Sequence, residues 1–488
     1  MRTLLVSFFV CLLLSCSDRP HDVTTTDTLP PIYPDYVGVT IPADLAPLNF
    51  GIKDSDVETL DVVVKGKDGE IHANGDYADF DIDEWHALTQ KCRGDSLMVT
   101  VCAKRDGAWT QYKEFPIYVS GDELGEWGLT YRLIPPGYET YGNMGLYQRD
   151  LHNFDQTPII ENRDIDMNCV NCHTNNRTDP TRFTFHVRGD HGASVVGHGD
   201  NLDILVPRNE AMGGGMVYPY WHPSGNLIAY STNQTHQLFH QLHDKRVEVY
   251  DNTSDIIIYD VANRQIRRDS RVATADYLEN YPAFSPDGRW LYFCKAEKID
   301  SIWSDYKDIR YNICRVALDS ATAELNGEVE TVIDARAMGK SANQPRISYD
   351  GRFLLYTLSD YGCFPIWHKE ADLWIKDLVS DKAFPLDAAN SPDAESFHNW
   401  SLNSRWIVFT SRRNDGLYTQ LLIAHVSPEG IVSKPFLLPQ RNPLEYDAET
   451  TFSFNTPDFA SAPLRYSPEE ISRKIMNEER TGTVLIGN

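Results

Sequence analysis

The chain has 488 residues, a formal net charge of −25, and 24% charged against 41% hydrophobic residues. So acidic a chain is an unsuitable partner for nucleic acid. No segment beyond the N-terminus is apolar for long enough to read as a membrane-spanning helix. Residues 1–15 carry an early arginine, Arg2, and an apolar run over 4–14 that is too short to span a bilayer but has the anatomy of a secretory signal peptide.

That run ends Leu13-Leu14-Ser15-Cys16, which resembles the lipobox of bacterial lipoproteins. The resemblance implies cleavage before Cys16, acylation of that cysteine and a lipid anchor in the bacterial cell envelope. The plainer reading is an ordinary signal peptide whose last cysteine is incidental. Residues 16–35, rich in Thr, Pro and Asp, read as a flexible tether. Residues 36–120 then alternate short β-branched runs with Lys67-Asp68-Gly69 and Arg105-Asp106-Gly107 turns, the pattern of a β-sandwich-like domain.

Residues 121–181 change character, with Pro135-Pro136-Gly137, a short helix expected over 144–154 and, near the end, Cys169-Val170-Asn171-Cys172-His173. C-x-x-C-H is the attachment pattern of a c-type haem, two thiols on the porphyrin and the adjacent imidazole on iron. One covalent haem c is therefore expected on Cys169 and Cys172, with His173 as axial ligand. A disulfide, a redox-active thiol pair or a decayed motif are the alternatives; zinc lacks a second ligand pair at a suitable spacing. Setting aside Cys11, Cys16 and the motif pair, an odd set of five cysteines remains (Cys92, Cys102, Cys294, Cys314 and Cys363). Cys294 and Cys314 lie in apolar runs, where a packing role and a disulfide are both open.

From 182 to 461 four phrases align. They are Tyr218-Pro219-Tyr220-Trp221-His222-Pro223-Ser224-Gly225, Tyr281-Pro282-Ala283-Phe284-Ser285-Pro286-Asp287-Gly288, Gln344-Pro345-Arg346-Ile347-Ser348-Tyr349-Asp350-Gly351, and a degenerate fourth beginning at His398. Each reads as strand, Pro-Asp-Gly type turn and apolar strand, the unit of a β-propeller. The phrases resemble the TolB-type, WD40-like repeat of exported bacterial proteins. The order of lipobox, C-V-N-C-H, Phe185-His186-Val187-Arg188-Gly189 and Lys434-Pro435-Phe436-Leu437-Leu438-Pro439-Gln440 is similar to one group of TolB-like lipoproteins, often labelled as related to cytochrome c or its biogenesis. The fold class expected is mainly β: a sandwich-like domain, a haem-motif segment and a propeller. Residues 462–488 close the chain with a helix capped by Ser467.

The sixth iron position decides between electron transfer and ligand binding. His186 is the first choice for it, with Arg188 on the same strand face suited to a haem propionate; His191 and Met144 follow. His222, His368 and His398 recur near propeller strands and read as repeat packing rather than a metal ring. No hydrolase, zincin or nucleotide-binding motif is present. The function expected is an exported, lipid-anchored mono-haem cytochrome, an electron carrier or sensor rather than a turnover enzyme. Its partner would be an envelope or redox protein docked on the propeller. The alternative is a non-enzymatic envelope scaffold.

Overall fold

A computed structural model describes residues 19–135, 142–206, 214–242, 245–477 and 479–486. The expected signal peptide, Cys11 and Cys16 lie outside the described residues. The first unit is a seven-stranded sheet whose longest members are Thr59–Gly66, Gly69–Gly75 and Ser96–Arg105, beside a three-stranded sheet. Thr59–Gly66 buries every second residue, so Leu60, Val62 and Val64 face the core. The Asp106-Gly107 turn forms as expected, both residues left-handed at φ 49° and 77°, the two-residue turn that matches strand twist. The helix Ile82–Lys91, not anticipated from sequence, is capped by the Asp81 carboxylate and buries Trp85, whose indole donates to Leu45 O at 3.1 Å.

The tether expected over 16–35 is pinned from Thr24 onward. Thr24–Thr25 pairs with Ala108–Gln111 and Ile32–Tyr33 with Phe50–Ile52. An open sheet edge offers unpaired amides and carbonyls to any extended segment, and Ile32 gains burial there.

Between 128 and 460 the described residues form six blades, each a four-stranded antiparallel sheet; one gains a fifth strand, Val484–Ile486. Blade 1 is composite. Gly128–Ile134, Gly145–Asp150 and Gln156–Glu161 supply its outer strands, and the chain returns to add Ser453–Ala460 as the innermost. Blades 2 to 6 follow in order, their inner strands being Cys169–Asn176, Gly215–Trp221, Tyr277–Phe284, Ser341–Ile347 and Glu395–Trp400. Each inner strand touches the next, and Glu395–Trp400 touches Ser453–Ala460, so the ring closes.

The sheets divide the chain differently from the sequence-based segments. The propeller begins at Gly128, and the boundary expected at 182 falls inside the strand Asp179–Arg188. The helix expected over 144–154 is the strand Gly145–Asp150. It lies between two partner strands that take its main-chain hydrogen bonds, and a Cβ at Gly145 would sit 2.7 Å from Ile160 O.

The aligned phrases form their turns as read. Ser285 Oγ accepts from Trp290 N at 3.0 Å and donates to Asp287, and Gly288 takes φ 72°; Ser348, Asp350 and Gly351 repeat the arrangement. The degenerate fourth turn puts Ser404 at φ 61° where the others have glycine, a strain of about 1–2 kcal/mol. The N-terminal domain shares one continuous core with blades 1 and 6, joining Val62, Val99 and Phe115 to Trp406, Val408 and Phe459. The helix Pro468–Met476, its N-cap Ser467 accepting from Glu470 N, buries Ile471 and Ile475 against blades 1 and 2. All seven described cysteines are unpaired.

Candidate functional site at the motif strand and the propeller axis

Every inner strand breaks register at an equivalent place, and Cys169–Asn176 breaks a second time at Asn175/Asn176. The shared breaks fall at six equivalent trios: Asn171-Cys172-His173, Val217-Tyr218-Pro219, Asn280-Tyr281-Pro282, Asn343-Gln344-Pro345, Ser396-Phe397-His398 and Asn455-Thr456-Pro457. The middle residue of each trio is left-handed, with φ between 46° and 56°. A left-handed residue other than glycine is uncommon; six in equivalent places are a repeated β-bulge, which re-aims a side chain. Here all six middle residues line one axial cavity of about 50 Å³, room for a few water molecules. Cys172 therefore occupies a position that the other blades give to Tyr, Gln, Phe or Thr, and His173 one that four of the other five give to Pro.

His398 is the equivalent of His173, four blades on, and the pair can be compared atom by atom. His398 engages both ring nitrogens: Nε2 lies 2.7 Å from Gln344 O and 3.2 Å from Leu355 O, and Nδ1 lies 3.4 Å from Thr357 Oγ1. His173 Nδ1 lies 3.5 Å from Thr456 Oγ1; its Nε2 is buried and makes no hydrogen bond of good geometry, although the Thr130 backbone carbonyl acts on the ring. Burial holds both rings neutral, with pKa values lowered to about 4 for His173 and about 3 for His398. A neutral imidazole with an uncommitted buried nitrogen is the state an iron ligand requires.

The thiols sit at the strand's start and at its bulge. Cys169 Sγ accepts from Arg132 Nη2 at 3.2 Å, and the same nitrogen lies 3.5 Å from Met144 Sδ. Arg188 is the cross-strand partner of Cys169, and its charge reaches Cys172. Burial raises the Cys172 pKa, which disfavours the thiolate that a redox-active pair needs. Arg132 was missed in the sequence because nothing nearby marks Gly128–Ile134 as a blade strand.

The three expected sixth ligands are placed differently. His186 pairs with Asn171 one strand away in the same sheet, its Nδ1 3.3 Å from Ser194 Oγ, and a Cβ on Gly215 would lie 3.1 Å from its ring. His191 Nε2 lies 3.3 Å from an Asp166 carboxylate oxygen in a turn. Met144, fully buried, is tied to Cys169 through Arg132. Of the recurring histidines, His222 Nε2 lies 3.0 Å from Gly288 O. His368 Nε2 meets Glu248 Oε1 at 3.1 Å, holding the long hairpin of blade 3 against blade 5. Among the described residues no group of three or more His, Cys, Asp or Glu is placed to hold a metal ion.

The axis also holds Asp458, one residue beyond the last trio. Its carboxylate accepts from Asn175 N at 2.8 Å, Thr174 Oγ1 at 3.1 Å and Asn399 Nδ2 at 2.7 Å, linking blades 1, 2 and 6. Burial pushes its pKa up to about 7.

No family model matches the chain, and no curated protein matches it. Among solved structures it is similar to an oligogalacturonate lyase in complex with manganese, at 12% identity over 64% of this chain and 74% of that one, TM-score 0.36. It is similar to Kuenenia stuttgartiensis hydrazine synthase at 10% identity over 71% and 49%, TM-score 0.44, so it spans about half of that chain. It is similar to the Pseudomonas aeruginosa periplasmic gluconolactonase PpgL at 14% identity over 68% and 100%, TM-score 0.34. The fold is mainly β, and a β-propeller; likeness at this level says nothing of activity.

Proposed function

We propose that the chain is an exported, lipid-anchored, TolB-like propeller that carries one haem c on Cys169 and Cys172 and serves as an electron carrier or redox sensor for an envelope protein partner. The observation that carries this reading is the contrast between two equivalent histidines: His398 is saturated by the protein, whereas His173 keeps Nε2 buried and neutral, with no hydrogen bond of good geometry. The donor set fits the group. Both thiols are unpaired; Arg132 donates to the Cys169 sulfur, at the edge where a vinyl group would attach, and Arg188 is the residue proposed to meet a propionate. The axial cavity that Cys172 and His173 line is itself too small for a porphyrin. When bound, the haem supplies a one-electron couple. The protein's part is to hold His173 neutral; His186, His191 or Met144 would supply a sixth ligand, Met144 being linked to Cys169 through Arg132. Membrane attachment would come through Cys16; among the described residues no helix is long and apolar enough to cross a bilayer.

A second reading is favoured by the sixfold bulge. Cys172 and His173 are also what this repeat position looks like when it departs from Asn-x-Pro, and the chain would then be an envelope scaffold with no cofactor. Intact mass after expression with haem-maturation machinery separates the two: haem adds its mass to the polypeptide, a disulfide removes two hydrogens, and a bare scaffold shows neither.

A further inference from the structure

A second site lies away from the motif, in the seam between the N-terminal domain and blade 1. There a cleft of about 550 Å³ opens, lined among others by Tyr77, Leu133, Arg149, Arg441, Tyr446 and Phe454. That volume falls within the range of small-molecule pockets, and domain seams are where such pockets concentrate.

Arg149 makes this cleft unusual. It is only 4% exposed. Its Nη1 donates to Gln440 Oε1 at 3.2 Å, its Nη2 donates to Pro439 O, and its Nε has no partner. Every acceptor it meets is neutral, and no carboxylate lies within ion-pair distance among the described residues. A buried guanidinium is ordinarily paired with an anion, because desolvating an unpaired charge is costly. Its two acceptors end the phrase Lys434 to Gln440, so that phrase fixes the orientation of the cation. Arg441 stands at the exposed mouth, its guanidinium 5.1 Å from the ring centre of Phe154, which lines an adjoining cleft with Asp79, Asp81 and Asp155; it makes no ion pair among the described residues. Arg149 and Arg441 share the cleft with Glu445 and Glu449, so its lining is charge-balanced, and Arg149 is the buried cation among them. Leu133, Tyr446 and Phe454 supply flat, largely apolar walls. Glu445 and Glu449 on the rim disfavour polyanions, which leaves room for a single negative charge.

We infer that this cleft binds a small monocarboxylate with a ring-sized body, its carboxylate on Arg149 and Arg441 and its ring against Tyr446 and Phe454. The ring is aromatic or a sugar, and the two sources share the same recognition chemistry. This inference does not depend on the haem reading.

Titration calorimetry of the detergent-solubilised full chain tests it with two matched pairs, benzoate against benzamide and glucuronate against glucose. At least one acid binds saturably and at least tenfold more tightly than its neutral partner, and the favoured pair identifies the ring. Arg441→Gln, at an exposed position, weakens that acid fivefold or more without shifting the melting temperature. Arg149→Lys, which keeps the charge but loses Nε, weakens it at least tenfold. If neither acid binds better than its neutral partner, or if Arg441→Gln leaves the affinity unchanged, the inference is overturned.

Discussion

Replacing Asp458 by asparagine isolates the carboxylate that joins the two ends of the ring. In the folded chain this acid is buried and its pKa is pushed up to about 7; in the unfolded chain it returns to about 3.9. Between those values the unfolded state has lost the proton while the folded state keeps it. Stability therefore falls as pH rises, by about 1.4 kcal/mol per unit, and levels off above the folded pKa. For this one group the fall from pH 5 to pH 8 is about 2–3 kcal/mol. Asp458→Asn keeps the shape and cannot ionise. Its amide faces Asn399 Nδ2 where an oxygen accepted, so the variant also loses about 1–2 kcal/mol throughout. Urea unfolding at both pH values, followed by tryptophan fluorescence, gives the two differences. Glu126 and Glu395, whose pKa values burial also raises to about 7, titrate in both proteins and cancel in the comparison. The wild type is predicted to lose 2–3 kcal/mol more than Asp458→Asn over this range. Parallel pH profiles would refute the assignment of a buried, proton-holding carboxylate to the ring closure.

Three further outcomes follow from the same geometry. His398→Ala leaves the Gln344 and Leu355 carbonyls short of a partner and opens a cavity, costing about 2–4 kcal/mol by denaturation with no change in haem content or absorption; His173→Ala, by contrast, alters the spectrum of the haem-loaded chain. Phe459→Ala, in the core shared by the N-terminal domain and blades 1 and 6, costs about 3–5 kcal/mol and lowers the melting temperature of both units together; two separated transitions would argue against a continuous core. Ser467→Ala removes the cap of the C-terminal helix and costs about 0.5–2 kcal/mol, read as faster amide exchange over 468–476 with the propeller midpoint nearly unmoved.

The propeller was legible where local chemistry repeats. The Ser-x-Asp-Gly turns of blades 4 and 5 carry their own hydrogen-bond code, so four phrases align. Blades 1 and 2 escaped because they lack that code. After Asn176 the turn runs through Arg177 at φ 57°, and blade 1 borrows its inner strand from the far end of the chain, a pairing no local window contains. The same blindness produced a helix over 144–154, where two distant partner strands decide the conformation. At the site, Cys169, Cys172 and His173 declared themselves by spacing. That spacing hid a second regularity, since Asn171-Cys172-His173 is also the Asn-x-Pro trio of the ring. Arg132 reaches Cys169, and Met144 reaches Arg132, only through tertiary packing, so the sequence did not mark Arg132 and placed Met144 after His186 and His191.

The central claim is that the uncommitted His173 nitrogen and the free thiols beside it hold a haem. The most direct test is one intact-mass measurement, paired with a reduced-minus-oxidised absorption spectrum, on the full chain made with haem-maturation machinery. A single added haem is expected, retained through acid-acetone extraction and lost in Cys169→Ala with Cys172→Ala, while the propeller stays folded. A colourless polypeptide of unmodified mass under those conditions would contradict it.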